Sequence, residues 1–147
     1  MHLLRLRDAT EDDLQVTYEI TEDAMRGYVE ETWGAWDPEE QQQKHRLNFT
    51  PETHRVILIE DEVAGFVAVE EFASHVWLVK LYVLARFRGQ GIGSQMLEGV
   101  LQNARAQGKP VTLRVLRVNR RAQALYERHG FNVTEESPAR LVMSSGA

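Results

Sequence analysis

Cysteine is absent from the 147 residues, and no apolar run approaches the roughly 18 residues of a membrane-spanning helix. Without cysteine, the chain has no disulfide framework, no thiolate metal site and no thiol nucleophile. The segment Met1–Arg7 alternates charged and apolar side chains, which is not typical of a signal peptide. These features predict a cytoplasmic protein that does not act at a membrane.

Two familiar phosphate-binding motifs are also missing. A P-loop ends in Gly-Lys-Ser or Gly-Lys-Thr, and neither occurs in the chain. The dinucleotide-binding pattern Gly-x-Gly-x-x-Gly would need glycine where Ser94 stands. The spacing of His45, His54, His75 and His129 is not that of metal ligands, so we predict no metal site.

The composition is ordinary for a globular protein, with 43% hydrophobic and 27% charged residues. The length predicts a single domain over residues 1–147. The net charge of −5 conceals an asymmetry: residues 1–75 carry 6 basic and 18 acidic side chains, whereas residues 76–147 carry 11 and 4. The second half therefore suits an anionic ligand and the first half a cation, unless both charge runs are solvated faces.

Hydrophobic periodicity and capping signals predict the element order β-α-α-β-β-β-α-β-α-β-β. The predicted strands are Leu3–Arg7, Arg55–Glu60, Val63–Glu70, Trp77–Leu84, Val111–Leu116, Phe131–Glu135 and Arg140–Met143. The predicted helices are about Glu11–Arg26, Pro38–Leu47, Gly91–Gln107 and Arg120–His129. Residues 27–36 are expected to be less regular. The strand–helix–strand unit over 77–116 requires a parallel pairing and the hairpins require antiparallel ones, so we expect an α/β fold with a mixed sheet and helices on both faces.

The most informative stretch is Leu81–Ser94, in which an apolar strand runs into a basic turn with three glycines and then into an amphipathic helix. Glycines at alternate positions leave the backbone N–H groups of the turn uncovered. Because these groups lie at the positive end of a helix dipole, the stretch predicts a phosphate-binding site. A simple glycine-rich turn is the alternative.

The hexapeptide Arg88-Gly89-Gln90-Gly91-Ile92-Gly93 resembles the acyl-CoA signature Arg/Gln-x-x-Gly-x-Gly/Ala of the GNAT superfamily of N-acyltransferases. The segment Val115–Phe131 resembles the second signature of that family, a strand followed by Asn, a small residue, Leu-Tyr and Gly-Phe. The resemblance implies a GNAT-like fold, in which a mostly antiparallel sheet contains one splayed parallel strand pair. It also implies direct attack of a primary amine on acetyl-CoA, and it leaves a homodimer open.

The resemblance assigns roles in acetyl-CoA binding to several parts of the chain. The strand before the glycine turn would pair with the pantetheine arm, and the amide near Val83 would hold the growing oxyanion. The turn would bind the pyrophosphate, and Asn119 would cap a helix, contact the CoA arm, or do both. The implied cofactor-binding residues are Leu81, Tyr82, Val83, Arg88, Gly89, Gln90, Gly91, Ile92, Gly93, Ser94, Asn119, Ala122 and Tyr126.

Tyr126 is the candidate general acid, because its phenol, with an ordinary pKa of about 10, can protonate the departing thiolate. The alternative is a core tyrosine whose hydroxyl is satisfied within the fold. The general base is open, since the strand ahead of the glycine turn offers Lys80 where some family members carry a glutamate. Glu31 and Glu71 are the leading candidates, and a water chain is a further route.

Acceptor contacts are expected from the early helices, which vary most in this family. Residues 27–36 place aromatic side chains beside acids, which suits a cationic amine held by charge and by cation–π contact. The candidate substrate-binding residues are Tyr28, Glu30, Glu31, Trp33 and Trp36. The two tryptophans are alternatively anchors of the core or of a lid.

Two other functions are consistent with parts of the sequence. A binding module could keep the acyl-CoA cleft without catalysis, although the intact candidate acid argues mildly against it. A nucleic-acid binder could use the arginines of the second half, which are Arg114, Arg117, Arg120, Arg121 and Arg128. The acidic overall charge and the lack of interleaved aromatics there argue against this function, so we predict no nucleic-acid partner.

Overall fold

The computed structural model describes residues 4–146. The helices are α1 (Leu14–Trp33), α2 (Pro38–Asn48), α3 (Ile92–Ala106) and α4 (Arg120–Arg128). The strands are β1 (Leu4–Asp8), β2 (His54–Ile59), β3 (Glu62–Glu71), β4 (Val76–Val83), β5 (Val111–Leu116), β6 (Asn132–Glu136) and β7 (Arg140–Ser144). The predicted order of elements is confirmed, and Leu3 of the first predicted strand lies outside the described residues. None of the described helices combines the length and apolarity needed to cross a membrane.

The seven strands form one sheet in the order β1-β2-β3-β4-β5-β7-β6. The pairs β1–β2, β2–β3, β5–β7 and β6–β7 are antiparallel, and β4 and β5 are parallel. The parallel register covers only Val76–Leu78 opposite Val111–Leu113, although both strands continue beyond it. The predicted mixed, mostly antiparallel sheet is therefore confirmed, with its single parallel pair at the predicted place.

Two compact units make up the described chain. The first contains residues 4–68 and Lys80–Gln90, and the second contains Val69–Val79 and residues 91–146. Strands β3 and β4 contribute residues to both units. The assignment of the chain to a single domain stays a prediction.

Helix α1 is longer than the sequence predicted. It continues from Leu14 through Trp33, whereas the predicted helix ended at about Arg26. The expectation of a less regular segment over 27–36 is wrong for most of that segment. Arg26 forms ion pairs with Glu22 and Glu30, one helical turn away on either side, and such pairs favour helix across Gly27. The helix ends where Gly34 adopts a φ of +104°.

The core of the first unit contains a continuous series of ring contacts, which we call the aromatic column. Its members in order are Tyr18, His45, Phe49, His54, Phe66 and Tyr82, with ring centroids 4.8 to 6.0 Å apart. The Lys80 amine lies 5.8 Å from the centroid of the Phe66 ring. The column therefore joins both early helices to strands β2, β3 and β4.

The two histidines of the aromatic column are uncharged. His45 and His54 are only 5% and 3% exposed, and burial, followed by the positive charge of Lys80, lowers the pKa of each to about 4. Nδ1 of His54 donates to the Thr50 carbonyl at 2.8 Å, which leaves its Nε2 unprotonated. That Nε2 has no hydrogen-bond partner among the described residues. The hydroxyl of Thr17 lies 2.8 Å from Nε2 of His45.

The core of the second unit is formed around α3, the amphipathic helix that the sequence predicted after the glycine turn. The buried residues of this helix are Ile92, Met96, Leu97, Leu101 and Ala104. Strand β5 contributes Val111 and Leu113 to the same core, each at most 1% exposed. The period of 3.6 residues in α3 thus determines which face meets the sheet.

We predict that acid destabilises the fold through the two histidines of the aromatic column. Unfolded imidazoles titrate near pH 6.5, so between pH 6.5 and 4 the unfolded chain binds more protons than the native one. As the pH falls from 6.5 to 4, the free energy of unfolding should decrease by about 3 kcal/mol for each histidine. Urea unfolding as a function of pH measures this fall, and His45→Gln or His54→Gln should flatten it. An unchanged slope in both variants, or equal flattening in the control His75→Gln, would contradict the prediction.

The close approach of β3 to the end of β4 depends on the absence of a side chain at Gly65. A Cβ atom at this position would lie 2.1 Å from the Tyr82 carbonyl oxygen and 3.0 Å from the Val83 Cα. We expect Gly65→Ala to lower the free energy of unfolding by about 2–3 kcal/mol in urea titrations. The matched control is Gly27→Ala in α1, where no heavy atom lies within 4 Å; it should stabilise the fold by about 0.5–1 kcal/mol.

Candidate active site

The end of β4 leads into a short 3₁₀ turn over Ala85–Phe87. The N–H of Leu84 donates to the Ala64 carbonyl at 2.8 Å, and the N–H of Arg88 donates to the Ala85 carbonyl at 3.1 Å. Phe87 is buried in the same unit. The backbone between β4 and the basic turn is therefore held at both of its ends.

The glycine turn that follows begins α3 directly. Gly89 and Gly91 adopt φ angles of +77° and +79°, a region that residues with a Cβ rarely adopt. Gly91 is the residue before the helix, and its carbonyl accepts the first helical hydrogen bond, from the N–H of Gln95 at 3.0 Å. No side chain of the described residues caps this helix start. The first-turn N–H groups of Ile92, Gly93 and Ser94 have no acceptor within the helix, and such a helix start is suited to an anion.

The guanidinium of Arg88 contacts two groups of its own unit. Its Nε donates to the Val83 carbonyl at 3.0 Å, and its Nη2 lies 3.5 Å from the Asp23 carboxylate. The same Asp23 oxygen accepts the N–H of Ala85 at 3.0 Å. Asp23 was not identified from the sequence, because it lies 62 residues before Ala85 and only the fold shows that they meet.

Helix α4 carries the polar residues of the second signature. The Asn119 side chain accepts the N–H of Ala122 at 3.1 Å, so the predicted cap is present. Tyr126 is 9% exposed, and its ring centroid lies 5.6 Å from that of Phe131. A Cβ atom at Gly93 would lie 3.4 Å from the Leu125 side chain, so the start of α3 packs closely against α4.

The candidate acceptor residues lie at and beyond the end of α1, in different environments. Trp33 is 55% exposed, whereas Trp36 is 5% exposed and its Nε1 donates to the Tyr18 hydroxyl at 3.2 Å. Glu30 lies 3.5 Å from Arg26, and the Tyr28 carbonyl accepts the Thr32 hydroxyl. An open groove along α1 is lined by Glu19, Glu22, Asp23, Arg26, Gly27 and Glu30.

The two leading candidates for the base are both exposed acids. Glu31 lies on α1, near its C-terminal end. Glu71 is the last residue of β3, and its carboxylate accepts a hydrogen bond from the Gln107 side chain at 2.8 Å. Among residues 4–146 no group of three or more His, Asp or Glu side chains is placed to hold a metal ion.

The chain matches the sequence model of the acetyltransferase (GNAT) family over residues 14–131. This match covers most of the chain and includes both signature segments. The protein therefore belongs to the GNAT acetyltransferase family. A search of curated proteins finds no match.

Solved structures with the same fold cover nearly the whole chain. One is the PaiA N-acetyltransferase of Thermoplasma acidophilum in complex with coenzyme A, at 17% identity, a TM-score of 0.79 and 99% coverage of both chains. Another is the ribosomal-protein-S18-alanine N-acetyltransferase of Escherichia coli, at 19% identity, a TM-score of 0.74 and coverage of 97% and 93%. A third is Arabidopsis thaliana Naa50 with the bisubstrate analogue CoA-Ac-MVNAL, at 21% identity, a TM-score of 0.69 and coverage of 98% and 99%. At these identities the similarity establishes the fold.

We expect Gly91→Ala to destabilise the protein by about 1–2 kcal/mol, because an L-residue is strained in the left-handed conformation of this position. No heavy atom lies within 4 Å of a Cβ built there, so the cost comes from the backbone alone. Gly99→Ala in the interior of α3 is the matched control and should stabilise by about 0.5–1 kcal/mol. Urea unfolding measures the difference in stability between Gly91→Ala and Gly99→Ala, and equal unfolding midpoints in the two variants would refute the prediction.

Proposed function

We propose that the chain transfers the acetyl group of acetyl-CoA to a primary amine, and that the acceptor is a cationic small molecule or a protein amine. The observation that carries this proposal is the left-handed Gly91 at the start of α3, directly after the turn that follows β4. Membership of the GNAT acetyltransferase family supports the reaction class. The cytoplasmic location stays a prediction, and so does a homodimer.

In this proposal the pyrophosphate of CoA binds the N–H groups of residues 89–94. The N–H of Arg88, which the sequence also suggested as a donor, already donates to the Ala85 carbonyl. Phosphate charge is costly to bury unless donors surround it, and backbone amides provide dispersed donors without a side chain that must be ordered. The exposed backbone at Gly89 and Gly91 leaves this approach open. The dipole of the 15-residue helix α3 adds to the attraction.

The pantetheine arm is proposed to lie along β4, at Leu81–Val83. The short parallel register supports this placement, because it ends at Leu78 while β4 continues for five residues. An extended backbone whose pairing has ended can accept a ligand as an additional strand. The Val83 amide would then donate to the acetyl carbonyl and to the oxyanion that develops on it.

The reaction that we propose needs no covalent enzyme intermediate. The ammonium group of the acceptor loses a proton to Glu31, Glu71 or a water chain, since an amine of pKa about 10.4 is mostly protonated at pH 7. The nitrogen lone pair attacks the thioester carbon and forms the C–N bond. The C–S bond then breaks, and Tyr126 donates its phenolic proton to the departing thiolate. The nitrogen of the new amide releases its extra proton to solvent, and the Tyr126 phenolate takes a proton back from solvent.

The cationic nature of the acceptor is inferred from α1 and the residues after it. The groove along α1 is lined mainly by carboxylates, and the exposed face of Trp33 lies two residues beyond Glu31. Carboxylates and an indole ring both attract an ammonium group. The candidate contacts remain Tyr28, Glu30, Glu31, Trp33 and Trp36, of which the buried Trp36 would act by holding the segment in place.

Calorimetry with acetyl-CoA, followed by a thiol-release assay with a panel of amines, tests the proposed function. We expect binding, release with one class of amine, and binding weakened by Gly91→Ala but not by Gly99→Ala. Binding without release from any amine would favour a catalytically silent acyl-CoA module. The absence of binding by the unaltered chain would overturn the proposal.

Tyr126→Phe should lower kcat by about 10²-fold, because the thiolate loses its proton donor, while the Kd for acetyl-CoA changes little. Steady-state thiol release and calorimetry measure the two quantities. Tyr18→Phe is the matched control, since that hydroxyl accepts a bond from Trp36 in the core of the first unit. A kcat that is equally reduced in the two variants would show a packing effect and remove the role of Tyr126 as acid.

A further inference from the structure

Asp23 on α1 is the only acid among the described residues that bonds both the 3₁₀ turn after β4 and the arginine of the glycine signature. Its carboxylate accepts the Ala85 N–H at 3.0 Å, at the start of the turn over Ala85–Phe87. A short 3₁₀ turn leaves its first N–H groups without partners of its own, so this carboxylate caps the turn from another element.

The arginine completes a closed set of contacts. Arg88 Nε donates to the Val83 carbonyl at 3.0 Å, and its Nη2 lies 3.5 Å from Asp23. The carboxylate and the guanidinium therefore connect Val83, the last residue of β4, with Ala85 and with the first residue of the glycine turn. Both side chains are partly shielded, at 39% and 30% exposure, so the ion pair is screened less than one at a fully open surface.

We propose that Asp23 is a positioning residue for acetyl-CoA binding, acting through Ala85 and Arg88 on the backbone of Val83–Arg88. This inference rests on the proposed function. Asp23, Val83, Ala85 and Arg88 form what we call the Asp23 clamp. The clamp holds Val83, which carries the proposed oxyanion donor, to Ala85 and to Arg88, the first residue of the glycine turn. Arg88 thereby contributes to binding through the backbone it holds, in addition to its charge.

The direction in which CoA affinity changes when the Asp23 carboxylate is removed distinguishes a positioning role from a purely electrostatic one. A carboxylate near a phosphate site repels the phosphate, so its removal should strengthen CoA binding if charge alone mattered. The Asp23 clamp predicts weaker CoA binding when the carboxylate is removed. Without the clamp the turn after β4 is mobile, and CoA must order this turn when it binds. The two explanations therefore differ in direction and not only in size.

The first test compares Asp23→Ala with Glu19→Ala. Glu19 lies one turn earlier on α1, and its carboxylate accepts a hydrogen bond from the Gln15 side chain on the same helix, so this control removes an equal charge without touching the turn. We expect Asp23→Ala to raise the Kd for CoA about tenfold, the value of one hydrogen bond. Glu19→Ala should leave the Kd unchanged or lower it. Unchanged or tighter CoA binding by Asp23→Ala would overturn the proposal.

Kinetics and a conservative variant distinguish positioning from general damage to the fold. Asp23→Asn keeps an oxygen that can accept the Ala85 N–H, so it should recover most of the lost affinity. In a thiol-release assay, Asp23→Ala should raise KM for acetyl-CoA, whereas Glu19→Ala, which removes another carboxylate of the same groove, should leave this KM unchanged. Combined with Arg88→Ala, its effect on Kd should be less than additive, because both changes open the same clamp. Additive effects of Asp23→Ala and Arg88→Ala on the Kd, or no recovery of CoA affinity in Asp23→Asn, would contradict the positioning role of Asp23.

Hydrogen exchange at the Ala85 amide tests the clamp without any ligand. We expect Asp23→Ala to accelerate this exchange at least tenfold, while the Gln95 amide in α3 exchanges as before. Unaltered exchange at Ala85 would overturn the clamp even in a protein that binds CoA. Conversely, an unaltered chain that failed to bind CoA would refute the proposed function, while accelerated exchange in Asp23→Ala would still support the clamp.

Discussion

The close contact between Gly65 and the end of β4 is the constraint on which the rest of the first unit depends. With any side chain at that position, the backbone of β3 could not lie against Tyr82 and Val83 as it does. The contact lies at the end of β4, and the next bond, from Leu84 to Ala64, lies where the chain leaves the sheet. The 3₁₀ turn and the glycine turn begin from that point. The close approach that Gly65 permits is thus found at the point from which the chain leads into the proposed phosphate site.

Much of this fold could be predicted from the sequence, because local patterns carried the information. The amphipathic helix α3 and the Asn119 cap of α4 both appear where short-range rules place them. The parallel pair was expected from the strand–helix–strand unit, because parallel neighbouring strands need a crossover connection of this kind. The glycine turn was identified because its special backbone conformation needs a residue type that is visible in the sequence.

Other features were not predictable, because they depend on contacts between distant parts of the chain. The length of α1 was underestimated: residues 27–36 were expected to be less regular, whereas ion pairs on the surface of the helix favour its continuation to Trp33. The cap that Asp23 places on Ala85 has no local signature. For the same reason the sequence could not assign Trp36 to the core, since only the fold brings it to Tyr18. The roles of Tyr126, Glu31 and Glu71 depend on a bound substrate and remain proposals.

The continuity of α1 has a mechanical consequence. Asp23 and Trp33 are ten residues apart on one uninterrupted helix, which separates them by about 15 Å along a stiff rod. A ligand that displaced the end of this helix at Trp33 would therefore also move the Asp23 carboxylate at Ala85. In the proposed enzyme, α1 would couple binding of the amine at Trp33 to the position of the acetyl-CoA thioester near Val83. A flexible insertion between Asp23 and Trp33 would remove this coupling.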